Sequence, residues 1–216
     1  MDNKILPKVF GWMVVGLIIT FFTGFIVSTN ENMLINIFSN FGMIVLLILE
    51  IGIVIFLSSR ITKMSATTAR ISFLLYSFIS GLFFSIYFIE FEVTSLIYVF
   101  LIAAVVFALF ALIGAKTKLD LSKISTYLFM GLIALIICTI INIFLNNTSF
   151  DFIISVIGIL LFIGYVAYDI QVILRSHDLD AIPEENLAIY GALQLYLDFI
   201  NIFIDLLNII GKNRNN

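Results

Sequence analysis

The sequence predicts an all-α integral membrane protein whose single domain is a bundle of seven transmembrane helices. Hydrophobic residues make up 62% of the 216 residues and charged residues 12%, with a mean hydropathy of +1.19. So few polar side chains cannot cover a water-soluble surface. The apolar residues form continuous segments, each close to the ~20 residues that a helix needs to cross a bilayer. Because polar and apolar residues do not alternate in them, the segments are helices rather than strands of an outer-membrane barrel.

The first segment follows Lys4 and Lys8, as the apolar part of a signal peptide would. Its apolar core exceeds the usual length of about 7 to 15 residues and no small-residue cleavage site follows, so we predict a helix of the bundle. The later segments are also long enough to span the bilayer, and a charged residue or a proline lies near one end of each. The predicted helices are residues 9–27, 33–57 before Arg60, 71–89 after Arg70, 96–114 before Lys116, 124–145 after Lys123, 152–174 before Arg175 and 187–210 after Pro183.

Basic residues predict the orientation of the chain. The turns that carry most of the 11 Lys and Arg residues lie on one side of the predicted bundle, and the positive-inside rule makes that side cytoplasmic. The opposite turns are acidic and carry no basic residue before Lys212 and Arg214 in the tail. We therefore predict a multi-pass protein of the cell membrane, with its amino terminus in the cytoplasm and its carboxyl terminus outside. The two tail charges oppose this placement, and a re-entrant last segment would return the tail to the cytoplasm.

Small residues at four-residue spacing predict that two helices pack closely. They are Gly16, Thr20, Gly24 and Ser28 in the first segment and Ser77, Gly81 and Ser85 in the third. Stripes of this kind let the backbones of membrane helices approach one another. The first and third segments are therefore expected to be scaffold.

Four carboxylates interrupt the predicted helices and mark the candidate functional site. They are Glu50, Asp169, Asp198 and Asp205. An Asp at the bilayer centre costs about 2.5–3.5 kcal/mol on insertion scales, so helices that retain such groups indicate the handling of cations or protons. The last segment presents two of them on one polar face, since its polar residues recur every three or four positions. That face consists of Gln194, Asp198, Asn201, Asp205 and Asn208.

Asp169 and Asp198 fall at similar predicted depths, because a helix rises about 1.5 Å per residue. Two carboxylates in a low-dielectric interior do not both ionise cheaply, so we expect one to hold a proton and the pair to titrate as a unit. The pair also offers ligands to a hard cation. Since Ca²⁺ prefers about six to eight oxygens, two carboxylates with Asn201 and water form a weak calcium site, which suits conduction. Asp205, two turns further along, and Glu50 extend the predicted ion pathway.

Three short motifs carry a resemblance to a known family. They are Gly114–Lys116 with Asp120–Ser122, then Tyr168–Gln171, and the closing motif Leu195–Phe203. With these motifs the chain resembles the transmembrane Bax-inhibitor-motif family, as a bacterial member, from its second helix onward.

The resemblance implies a fold and an activity. The implied fold is a seven-helix bundle in which the last helix is central and wrapped by the others. The implied activity is a pH-sensitive, passive calcium leak governed by Asp169 and Asp198, with a basic latch at the end of the second helix that Arg60 matches best. Glu50 corresponds to an acidic position of that same helix. Asp205 stands where an amide is more usual, so its role stays open.

Other functions fit parts of the sequence. A proton-coupled cation transporter would use similar carboxylates, but the interrupted helices expected at its midplane site are not evident. A regulatory scaffold without transport is a further alternative, because family resemblance alone does not establish transport. An intramembrane aspartyl protease would need a Gly-x-Gly-Asp turn and a Pro-Ala-Leu motif, and the sequence has neither. We therefore expect no enzyme.

The predicted partners follow from the same features. They are the lipid bilayer, protons and calcium ions, with calcium as the transported species and no cofactor. Nucleic-acid binding is not expected, since the basic residues form no stripe that tracks phosphates. Cys138 is the one cysteine, so no intramolecular disulfide can form. We expect a monomer.

Overall fold

The computed structural model describes residues 4–61, 63–180 and 182–211. Within these ranges the chain is helical and has no β-strand. Seven of the described helices are long and apolar enough to cross a membrane, which confirms the all-α, seven-span fold class. Helices α1 to α8 are Ile5–Ser28, Glu31–Ile37, Asn40–Arg60, Ala66–Glu90, Val93–Lys116, Ser125–Leu145, Thr148–Asp178 and Glu184–Ile210, and a short 3-10 helix, Leu121–Ile124, precedes α6. The tail residues Lys212 and Arg214 lie outside the described residues.

The second predicted span differs from its expected bounds, because a break separates α2 from α3. The Ser39 hydroxyl caps α3 by accepting a hydrogen bond from the Gly42 N–H at 3.1 Å. A Cβ at Gly42 would collide with the backbone carbonyl oxygens of Asn36 and Ile37, so only glycine fits where the chain turns. The span therefore begins at the start of α3, and α2 is a separate helix of 7 residues.

The chain divides into two compact units. The first runs to Val93 and includes residues 176–196, and the second comprises Thr94–Arg175 and continues from Leu197. Helix α8 contributes to both units and is the most buried of the described spans: 67% of its apolar window is buried, against 50% for α4. This burial agrees with the prediction that the last helix is the central one. The single-domain organisation stays a prediction.

In the first unit, α1 packs against α4 through the small residues that the sequence singles out. A Cβ on Gly24 would lie 3.2 Å from the carbonyl oxygen of Gly81, and a Cβ on Gly81 would lie 2.9 Å from that of Thr20. Gly16 lies under the ring of Phe73. The predicted close contact between the first and third spans is therefore confirmed.

In the second unit, α5 holds both helices that carry the candidate site. A Cβ on Gly114 would lie 2.5 Å from the carbonyl oxygen of Ala167 in α7, so the two backbones nearly touch. The ring of Phe199 in α8 makes edge-on contacts with Phe100 and Phe107 in α5, at centroid distances of 5.1 and 5.7 Å. Aromatic pairs of this geometry add about 0.5–1.5 kcal/mol each to the burial of the rings. These contacts position the residues next to Asp169 and Asp198.

Candidate functional site

Two aspartates from neighbouring helices meet in the interior of the second unit. Asp169 lies in α7 and Asp198 in α8, and their exposed fractions are 5% and 4%. Their carboxyl groups lie close enough to one another for a hydrogen bond. Two carboxyl groups can form such a bond only when one of them carries a proton, because an ionised carboxylate has no donor. The structure thus brings together the two residues that the sequence pairs.

The surroundings of the pair are apolar. Val166 and Ile170 flank Asp169 on α7 and are fully buried, and Phe199, the next residue after Asp198, is 2% exposed. Among the described residues, the Oδ2 atom of Asp198 is buried without a hydrogen-bond partner. A buried, unsatisfied carboxylate oxygen is costly, typically about 1–3 kcal/mol or more for a charged group. The pair therefore has unused capacity to bind a proton or a cation.

Asn201 and Asp205 continue the polar face of α8 away from the pair. The amide nitrogen of Asn201 donates to the Leu197 carbonyl oxygen at 2.7 Å, within the same helix. Asp205 is part of a separate cluster, in which its carboxylate lies near the Ser155 hydroxyl. The Asn208 amide donates to the Ser155 oxygen at 3.4 Å. This cluster lies about 10 Å from Asp198 along the helix axis, at about 1.5 Å per residue.

Glycine at position 158 makes room for the second cluster. A Cβ there would collide with the carboxylate of Asp205, so this side chain lies directly against the backbone of α7. Ser155 is 1% exposed, whereas Asp205 is only partly buried. The spacing of Ser155 and Gly158 places both on one face of α7. That spacing is the sequence signal for the cluster, but it does not identify the partner on α8.

Glu50 and Arg60 lie in the first unit, on α3. Glu50 is partly buried, and its carboxylate accepts a hydrogen bond from the Ser80 hydroxyl of α4 at 3.1 Å. Arg60 is exposed and ends α3. The latch predicted at Arg60, which would act by pairing with the ionised Asp169, stays a prediction.

The sequence motif that includes Asp120–Ser122 and the motif Tyr168–Gln171 meet at one end of the second unit. The Gln171 side chain accepts a hydrogen bond from the Leu121 N–H at 3.0 Å and donates one to the Leu119 carbonyl oxygen at 2.8 Å. Asp120 accepts a hydrogen bond from Arg175 at 2.5 Å. Gln171 therefore ties the turn before α6 to α7, two residues beyond Asp169. The sequence alone does not link the two motifs, because contacts between residues 50 or more positions apart leave no periodic signal.

The electrostatics of that turn favour an ionised Asp120. Hydrogen bonds from the Ser122 hydroxyl, then from Arg175 and the Ser122 backbone, lower the pKa of Asp120 to about 2. A carboxylate that accepts several hydrogen bonds is stabilised in its charged form. The turn is thus held by a charged contact at neutral pH.

How strongly the pair can bind a metal ion depends on the number of ligands that surround it. Within the described ranges, no group of three or more His, Cys, Asp or Glu side chains could hold a metal ion. Asp169 and Asp198 provide two carboxylates, and Ca²⁺ prefers about six to eight oxygens. Any cation at the pair would keep much of its water shell, so its binding would be weak.

Comparisons with known proteins extend over almost the whole chain. Residues 2–215 match the family model described as "Inhibitor of apoptosis-promoting Bax1". Inner membrane protein YbhL of Escherichia coli K12 is 36% identical over 214 residues, which cover 97% of this chain and 92% of that protein. An uncharacterized protein of Borreliella burgdorferi is 36% identical over 217 residues, covering 99% and 94%. An uncharacterized membrane protein of Streptococcus pyogenes is 36% identical over 162 residues, covering 74% and 71%. The family match includes every candidate site residue.

Proposed function

The chain belongs to the Bax inhibitor-like membrane family, and from that premise we propose that it is a passive calcium leak controlled by protons at Asp169 and Asp198. The observation that supports this proposal most is the contact between two buried carboxyl groups on membrane-spanning helices. A carboxyl pair of this kind is expensive to keep in a membrane, and such groups usually mark ion or proton pathways.

The proton is the first element of the mechanism. While the pair shares a proton, the hydrogen bond holds α7 and α8 together and the site carries at most one negative charge. Loss of that proton leaves two carboxylates that repel one another in a low-dielectric interior. The pair then either separates or attracts a cation, so one protonation event changes a local helix contact.

The cation is the second element. Ca²⁺ and protons compete for the oxygens of the pair, because both bind the same lone pairs. Asp205 and Asn201 lie on the same face of α8 and provide further oxygens along the helix. With so few protein ligands the ion dissociates readily, and a conducting path requires such weak binding.

The pH dependence distinguishes two consequences of protonation. Loss of a cation ligand lowers the flux in acid. Release of the latch that the sequence predicts at Arg60 raises the flux in acid, since the arginine would bind only an ionised aspartate. The sign of the measured effect therefore identifies which consequence dominates.

Calcium entry into liposomes that contain only this protein tests the proposal. We expect entry down the calcium gradient that varies across about pH 5 to 8, the range in which a buried carboxyl pair titrates. Flux that saturates and requires a proton gradient would instead indicate a coupled transporter. No flux at any pH, from protein that circular dichroism shows to be folded, would contradict the proposal and favour a regulatory scaffold.

A further inference from the structure

The turn between α5 and α6, in the second unit, carries a cluster of exposed lysines. Lys116 ends α5, Lys118 lies in the turn and Lys123 lies in the 3-10 helix that follows. In the described part of the chain none of these three lysines forms an ion pair. By contrast, Arg175 at the same end of the unit is paired with Asp120, so these two charges cancel. The α5–α6 turn therefore presents a net positive charge.

Apolar side chains project from the same turn. Leu119 follows Lys118 and is 72% exposed, and Tyr127 in the first turn of α6 is 73% exposed. Tyrosine is enriched where a membrane meets water, because its ring is apolar and its hydroxyl is polar. Segments that combine basic side chains with apolar ones bind at the boundary between headgroups and acyl chains. The composition of the turn is therefore that of an interfacial lipid contact.

The length of the turn keeps it at the level of the headgroups. Four residues, 117–120, separate α5 from the 3-10 helix. They extend about 14 Å at about 3.5 Å per residue, so a turn that leaves and returns rises at most about 7 Å above the helix ends. The headgroup layer on each side of a bilayer is about 5–8 Å thick. A soluble acidic protein would have to enter that layer, whereas lipid headgroups already occupy it.

Hydrogen bonds hold the turn in one conformation. Gln171 of α7 binds it on both sides of Asp120, by donating to the Leu119 carbonyl oxygen and accepting from the Leu121 N–H. The Asp120 carboxylate accepts hydrogen bonds from the Ser122 N–H at 3.1 Å and from the Ser122 hydroxyl at 2.7 Å. A turn that is already ordered loses little conformational freedom on binding, so more of the interaction free energy contributes to affinity.

We propose that the α5–α6 turn is a binding surface for the anionic phospholipid headgroups of the leaflet that it faces. The sequence predicts that this side is cytoplasmic, and the cytoplasmic leaflet carries the negative surface potential that attracts lysine. Gln171 follows Asp169 by two residues, so the lipid binds beside the helix that contributes Asp169 to the pair. Lipid binding at the turn does not depend on the proposed calcium leak.

Native mass spectrometry of the full-length protein in detergent tests the proposal without any flux measurement. Dioleoylphosphatidylglycerol is the anionic probe and dioleoylphosphatidylcholine the neutral one. We expect the anionic lipid to bind more tightly to the wild type. Lys118→Gln and Lys123→Gln should each weaken its binding about fivefold, the effect of one lysine near an anionic surface. Lys118→Arg keeps the charge and should keep the wild-type affinity.

A variant of Gln171 separates the held conformation of the turn from its charge. Gln171→Leu changes no charge but removes both hydrogen bonds to the turn, so binding must then order the turn. We expect phosphatidylglycerol to bind about fivefold more weakly, the effect of losing one hydrogen bond of ordinary strength. Wild-type affinity in this variant, with wild-type circular dichroism, would overturn the role of the held conformation.

The matched control is Lys63→Gln, because Lys63 is an exposed lysine in the turn after α3, in the first unit. This variant removes the same charge and should bind phosphatidylglycerol as the wild type does. Equal weakening by Lys63→Gln and Lys118→Gln would show attraction to the net charge of the protein and overturn the site. Equal affinity of the wild type for both lipids would also overturn it. Displacement of phosphatidylglycerol by inorganic phosphate would overturn the lipid as the occupant.

Discussion

Replacing Gly114 by alanine should destabilise the contact that supports Asp169. The new Cβ would lie 2.5 Å from the Ala167 carbonyl oxygen and 2.7 Å from its Cα, whereas ordinary contacts begin at 3.4 Å. Both opposing atoms are backbone, so α5 and α7 must move apart by about 1 Å. Overpacking of this kind costs about 1–3 kcal/mol.

The control is Gly52→Ala, because a Cβ at Gly52 meets no atom within 4 Å. Both substitutions gain about 1 kcal/mol of helix propensity, so the difference between the two variants isolates the collision. We expect Gly114→Ala to be less stable than Gly52→Ala by about 1–3 kcal/mol, or several °C in Tm at roughly 2–4 °C per kcal/mol for a chain of this length.

Thermal unfolding followed by circular dichroism, with both variants in the same detergent, measures this difference. Ala167 precedes Asp169 by two residues, so we also expect the displaced backbone to weaken the hydrogen bond of the pair. Equal midpoints for the two variants would refute the packing of α5 against α7 and the argument that it positions Asp169.

Three further predictions concern other contacts of the described residues. Asn186→Ala removes two hydrogen bonds from the Asn186 side chain to carbonyl oxygens in the turn after α3. It should lower the free energy of unfolding by about 1–3 kcal/mol, at about 1 kcal/mol per bond, and an unchanged midpoint of thermal unfolding would contradict a stabilising role of these bonds. The folded-state pKa of Asp120 is about 2, below its ordinary value of 3.8, so its stabilising effect is present above about pH 4 and lost as the pH falls through about 2. Wild type and Asp120→Asn should therefore differ in Tm at pH 7 and converge near pH 2, and a difference that is constant with pH would exclude the contact with Arg175 as its source. Asp205→Asn should keep the size of the side chain and the wild-type Tm while lowering calcium flux about fivefold, the effect of about 1 kcal/mol of lost cation attraction; unchanged flux would remove Asp205 from the pathway.

The fold could be read from the sequence because membrane insertion depends on the length and polarity of a segment, which are local properties. The contact between α1 and α4 could also be predicted from the sequence, since Gly24 and Gly81 belong to stripes of small residues with a simple period. The break between α2 and α3 at Ser39 could not be predicted, because the apolar segment of the sequence continues through it. Its signals, a capping serine and the crowded Gly42, depend on the geometry of a single turn.

The candidate site could be predicted in part. Asp169 and Asp198 are conspicuous because each carries a charge within an apolar helix, and counting residues gives them similar depths. The close approach of their carboxyl groups follows from how α7 and α8 pack, which the sequence does not specify. Gln171 and Ser80 were missed for the same reason: each is an ordinary polar residue until a distant partner is known.

The pH profile of calcium flux in Asp169→Asn and Asp198→Asn tests the central claim most directly. Each asparagine keeps the size of the side chain and removes one titrating group of the pair. We predict that calcium entry into liposomes varies with pH in the wild type and is nearly constant across about pH 5 to 8 in each variant. Wild-type pH dependence in both variants would contradict control of the leak by this pair.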